Sequence, residues 1–111
     1  MPEPNESLDF IQALGTLTAR LAADDIVVHA FNFQTLSFGN WELEVGRRRQ
    51  RVQVRWDGKD KHLRVSTALL ASGSTARRWE LAEEHDYRGR RESAAQLVGS
   101  VEPAIRAHLG K

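Results

Sequence analysis

Leu8, Ile11, Leu14, Leu17 and Leu21 recur every three or four residues, with Asp9, Gln12, Thr16 and Arg20 between them. That spacing is one face of an α-helix and predicts a first helix over about residues 6–22. Asn5 or Ser7 can cap it, and Glu6 and Asp9 suit the positive end of its dipole. From Ile26 the signal turns to β-branched and aromatic residues, IVVHAFNF, which predicts a strand over 26–33. The apolar parity shifts between Phe31/Phe33 and Leu36/Phe38, so a bend or bulge is expected there, and Phe38-Gly39-Asn40 reads as a turn.

The next stretch, GNWELEVGRRRQRVQVRWDG, alternates with period two. Trp41, Leu43 and Val45 point one way and Glu42 and Glu44 the other; Val52, Val54 and Trp56 oppose Arg51, Gln53 and Arg55. With a turn at Arg47-Arg48, Leu43 falls opposite Val52, Trp41 opposite Val54 and Glu44 opposite Arg51, while Glu42 lies diagonal to Arg51 and Arg55. Asp57-Gly58-Lys59-Asp60 is a loop signal, and Leu63, Val65, Thr67 and Leu69 then predict a strand over 62–70.

Residues 77–87, RRWELAEEHDY, carry a composition that also favours helix. Trp79, Leu81, His85 and Tyr87 share a strand face that Glu83 interrupts, and the segment is read as a strand. After Arg88-Gly89-Arg90, the stripe Ala94, Leu97, Val98, Val101, Ile105 and Leu109 predicts a helix over 92–109, with Pro103 either kinking it or opening a separate last helix.

The order α-β-β-β-β(-β)-α predicts an α+β fold: a two-layer sandwich in which an N-terminal and a C-terminal helix cover one face of a mostly antiparallel sheet of four to five strands. The length of 111 residues fits one domain, with residues 1–5 expected to be disordered. There is no cysteine, which excludes disulfides, thiolate metal sites and cysteine nucleophiles. No apolar run is long enough for a signal peptide or membrane span, so a cytoplasmic protein with no membrane role is expected. Thirteen arginines against three lysines point to a GC-rich, bacterial source.

The formal net charge of +1 hides a split, residues 1–25 summing to −4 and residues 47–64 to +6. Arg47, Arg48, Arg49, Arg51 and Arg55 therefore raise the question of a nucleic-acid patch. Single-strand binders need aromatic platforms on the basic face, whereas Trp41 and Trp56 lie on the opposite one, and Glu42 and Glu44 sit among the arginines to repel phosphate. Arg47, Arg48 and Arg49 at the hairpin tip are the least neutralised. The tryptophans read as core anchors, Trp79 doubling as an interface anchor if the last strand lies at a sheet edge.

Glu83-Glu84-His85-Asp86 has metal-ligand residue types, but no second histidine follows at a spacing that closes a site. His29 is expected in the core or at a strand edge, His62 on the polar face and His108 at a helix C-terminus. No phosphate loop, nucleophile elbow or metalloprotease motif is present. No metal or cofactor is expected, and catalysis is disfavoured. The reading is a small non-catalytic protein-interaction module, adaptor-, chaperone- or immunity-like, that binds a protein partner or a second copy of itself. Its candidate binding residues are Arg47, Arg48, Arg49, Arg51, Arg55 and Trp79. The alternatives are nucleic-acid binding by the Arg-rich hairpin, and an enzyme or small-ligand carrier using the polar sheet face.

Overall fold

A computed structural model of the chain describes residues 4–34, 39–71, 73, 78–90 and 92–109. Helix α1 (Pro4–Ala22) is followed by strands β1 (Val27–Gln34), β2 (Asn40–Arg47), β3 (Gln50–Asp57), β4 (His62–Leu69) and β5 (Glu80–Asp86), and by helix α2 (Ala94–His108). The five strands form one antiparallel sheet in sequence order, β1-β2-β3-β4-β5. Both helices lie on one face, so the α+β sandwich read from the periodicity is the observed architecture. Among the described residues no helix is long and apolar enough to cross a membrane.

Helix α1 starts two residues earlier than its apolar stripe requires. Pro4 opens it, a position where the missing N–H is one of the helix's unbonded donors anyway. Asn5 and Ser7 therefore lie inside the helix and not at its cap, and residues 4 and 5 are helical where disorder was expected. The buried face also differs from the expected one: Phe10, Leu14, Leu17 and Leu21 pack inward, while Leu8 and Ile11 are about half exposed. Both sets have helical spacing, and the aromatic one wins because Phe10 fits between Trp41 and Trp56, its ring centroid 6.2 and 6.0 Å from theirs.

In the central hairpin the turn is at Arg48-Arg49, one residue later than expected, and the register is shifted by two. Trp41 faces Trp56, Leu43 faces Val54, Val45 faces Val52, and Glu42 faces Arg55. A shift of two keeps every side chain on its face, which is why the sorting of apolar and charged residues survives the error. Arg48 adopts φ 59°, the left-handed conformation that a two-residue hairpin turn demands.

The bulge in β1 lies between Val28 and Ala30; the bend expected at 35–38 lies outside the described residues. This bulge brings Val28, not Val27, onto the face shared by Phe31 and Phe33, as their partners Val45, Leu43 and Trp41 show. His29 is exposed on this edge strand. A second bulge, between Val65 and Ser66, does the same to β5: Glu83 and His85 pair with the inward-facing Val65 and Leu63, while Leu81 pairs with Ser66 on the open face and is exposed. In β4, Leu63 and Val65 are buried as expected, but Leu69 is exposed.

Helix α2 runs unbroken through Pro103. Ser93 caps it with a reciprocal pair of bonds: its Oγ accepts from the Gln96 N–H, and the Gln96 side chain accepts from the Ser93 N–H. Charged groups join α2 to α1 and its following turn, Arg20 Nε of α1 donating to Glu102 at 2.9 Å and Arg106 Nη1 of α2 to Asp24 at 2.6 Å, while within α2 Arg106 Nε donates to Glu102 at 3.0 Å.

The core lies between these layers and includes Trp41, Leu43, Val45, Val52, Val54, Trp56, Leu63 and Val65 from the central strands. Two helices of about 10 Å diameter cover about 20 Å, while five strands spaced about 4.8 Å apart occupy about 24 Å. The shortfall falls on the edges, β1 and β5.

Candidate functional site

The open face of the sheet is a cross-strand row in which Asn32, Glu42, Arg55, Arg64 and Glu84 face one another from β1 to β5. Arg55 Nε sits 2.9 Å from Glu42, Arg64 Nε 3.6 Å from Glu84, and His62 3.8 Å from Glu84. Two adjacent guanidinium groups are thus each neutralised by an outer carboxylate. Next to this row a shallow polar depression of about 290 Å³ is lined by Asn40, Glu42, Arg55, Asp57, His62 and Arg64, among others. Its mixed charges give it no preference for a polyanion.

The other predicted arginines separate. Arg51 folds back across Gly46, its strand partner, and its Nη1 donates to the carbonyls of Arg48 and Gln50 at 2.7 and 2.9 Å, so its charge closes the hairpin turn. Arg47 reaches the Asp24 carbonyl at 3.4 Å. Arg48 and Arg49 project into water at the tip, with no ion pair among the described residues. Trp41 and Trp56 are buried, so no tryptophan platform backs the arginines. Trp79 lies just ahead of β5 and is half-buried. The six predicted binding residues do not converge on one surface.

A second cluster does converge. Glu83, inward-facing on β5, accepts from His85 Nε2 at 2.8 Å through one oxygen and meets His108 Nε2 of α2 at 2.5 Å through the other. The His85 hydrogen bond is the main cause that lowers the Glu83 carboxyl below its ordinary value; burial opposes it, and His108 adds to it. The second histidine that local spacing did not supply therefore comes from the other end of the chain. Among the described residues, however, no histidine and carboxylate group has the geometry to hold a metal ion. The cluster pins the end of α2 to β5 beside a cleft of about 320 Å³ floored by Leu63, Val65 and Val101. Nearby, Arg88 bonds the Asp86 carboxylate at 2.8 Å and draws its pKa down to about 2.

The most unusual surface is the β1 edge. β1, VVHAFNFQ, has no Asp, Glu, Lys or Arg in eight residues, whereas the opposite edge, β5, ELAEEHD, has four acids. Edge strands expose unpaired backbone donors and acceptors, and charged side chains are a common protection against unwanted pairing; β5 has that protection and β1 does not. On β1, Val27, Val28 and Phe31 are exposed, and on the neighbouring α1 so are Leu8 and Ile11. β1 runs back along α1 after the tight turn at Ala23–Asp25, and an apolar groove of about 530 Å³ lies between Val27 and Val28 on one side and Gly15, Thr18, Ala19 and Ala22 on the other.

Sequence reasoning missed this surface because it assigned Leu8, Ile11 and the β1 apolar residues to the core. The signal that could have found it was present: two competing helical stripes in α1, and a terminal strand of the predicted sheet with no charge. No family model matches the chain, and neither the curated proteins nor the solved structures include a significant match.

Proposed function

We propose that this chain is a non-catalytic protein-interaction module, of the adaptor, chaperone or immunity-protein kind, that docks a protein on strand β1 and the adjoining flank of α1. The observation that carries the reading is the uncharged eight-residue edge strand, with Phe31 46% exposed beside an apolar helix flank. A partner strand added there gains main-chain hydrogen bonds along β1 and buries alternate side chains under α1. Work in the bacterial cytoplasm is part of the reading, and a chain without cysteine fits a reducing compartment.

Nucleic-acid capture at the Arg-rich hairpin draws less support. Arg55 is paired, Arg51 is turned onto backbone carbonyls, and Trp41 and Trp56 are in the core. Catalysis on the polar face draws less still, since the groups there are solvated and mutually neutralised.

The test uses the tagged chain as bait in cells, as wild type, Phe31→Lys and Leu81→Lys. Leu81 is an exposed apolar residue on the opposite edge strand and serves as the control. The expected result is a defined protein retained by wild type and by Leu81→Lys and lost with Phe31→Lys. A set of retained proteins identical for all three baits would refute the β1 reading.

A further inference from the structure

We infer that the partner on the β1 edge is a second copy of this chain, paired antiparallel across a two-fold axis near Asn32, so that two five-stranded sheets become one of ten strands. This rests on the interaction-module reading and adds the identity of the partner.

The bulge at Val28/Ala30 leaves Ala30–Gln34 as the regular part of β1, with Asn32 at its centre. A two-fold axis there sets Phe31 opposite Phe33 of the partner subunit, and the reverse, on the face that carries the helices. Aromatic cross-strand pairs of this kind stabilise antiparallel ladders. Isologous pairing brings like residues together, and the usual obstacle is like charge; a strand with no Asp, Glu, Lys or Arg has none. The same operation on β5 would crowd eight carboxylates along one seam, twice the four that one copy carries.

The helix layer distinguishes a second copy from an isolated strand. A lone peptide strand on β1 satisfies the edge but leaves Leu8 and Ile11 above it in water. A second copy also brings its own α1, so that two Leu8–Ile11 flanks meet over the joined β1 strands and close the gap left by a layer of two helices.

The area suits a weak dimer. Leu8, Ile11 and Phe31 are 44–51% exposed. At roughly 150–200 Å² for a whole large apolar residue they leave about 250 Å² of apolar surface per copy. Doubled across the axis and added to the strand backbones, this lies below the roughly 1,200 Å² of stable specific interfaces and in the range of transient ones.

Sedimentation velocity between about 1 and 100 µM, the range in which such an interface dissociates, tests the inference on wild type, Phe31→Lys and Leu81→Lys, each first checked for its native far-UV spectrum. The expected result is a dimer for wild type and Leu81→Lys, and self-association at least about 30-fold weaker for Phe31→Lys, as for loss of a central aromatic anchor. Amide exchange supplies a reading that needs no variant: the amides of Phe31 to Phe33 should slow as protein concentration rises, while those of β5 stay constant. A wild type that is monomeric throughout, or a dimer that survives Phe31→Lys, overturns the inference. A monomer whose cellular bait still retains another protein through Phe31 overturns the self-pairing alone and leaves the module reading standing.

Discussion

Replacing Gly46 with alanine is expected to destabilise the protein, although strand propensity argues the reverse. Gly46 has no left-handed φ, so alanine suits its backbone and would by itself add about 0.5–1 kcal/mol by reducing unfolded-state freedom. The space decides otherwise. A Cβ at this position stands 2.6 Å from both Cδ and Nη1 of Arg51 and 2.7 Å from the Gln50 carbonyl oxygen. Arg51 can swing away only by giving up its bonds to the Arg48 and Gln50 carbonyls, a loss of about 1–2 kcal/mol for a half-exposed charged donor. The Gln50 oxygen is backbone, and displacing it strains the hairpin by about 1 kcal/mol more. The net expectation is a loss of about 1–2 kcal/mol, read as a lowered urea midpoint at constant m-value. In an Arg51→Ala background the main obstacle is gone, so Gly46→Ala should be nearly neutral and the double-mutant cycle should show coupling of about 1–2 kcal/mol. A stabilising Gly46→Ala, or one whose cost is the same in both backgrounds, would refute the packing of Arg51 over Gly46.

Three further outcomes follow from the same geometry. Phe10→Ala should cost about 3–4 kcal/mol in denaturant unfolding, since it empties the space between Trp41 and Trp56; a cost below about 1 kcal/mol would mean that the first turns of α1 do not pack on the sheet. Glu102 is lowered from its ordinary 4.5 chiefly by the Arg20 hydrogen bond, so its contribution is present above that value and is lost as pH falls through the folded pKa. Glu102→Gln should therefore cost about 1 kcal/mol near neutrality, with the gap from wild type closing below about pH 4.5; a gap independent of pH would sink the pairing. Arg48→Glu with Arg49→Glu should leave stability within about 0.5 kcal/mol and reveal no loss of salt-sensitive oligonucleotide binding in a filter assay, whereas a steep, variant-abolished binding would make the hairpin tip the site.

The candidate surface was legible only in part. Phe31 and Phe33 announce a strand, and Leu8 and Ile11 a helix face, but period alone cannot say whether a periodic face meets another element or water. In α1 the stripes through Leu8–Ile11 and through Phe10–Leu14 both satisfy helical spacing, and only the two tryptophans across the interface choose between them. The Glu83–His85–His108 cluster was hidden for a different reason. His108 is 25 residues from Glu83, and their contact exists only because α2 returns across the end of the sheet.

What the sequence determined by itself is the order of elements, the faces of the central strands and the α+β class. Those depend on local sterics: side chains alternate along a strand and recur every 3.6 residues along a helix, whatever lies beyond. The hairpin shows how far this goes, since a register displaced by two still leaves Glu42 and Arg55 on the open face and Leu43 and Val54 on the closed one. Tertiary structure decided the register itself, the two bulges that exchange Val28 for Val27 and turn Leu81 outward, and the exposure of β1. Each of these is a competition between distant segments for the same contact area. Two helices cannot roof five strands, and which strand is left uncovered is fixed by packing across the whole molecule.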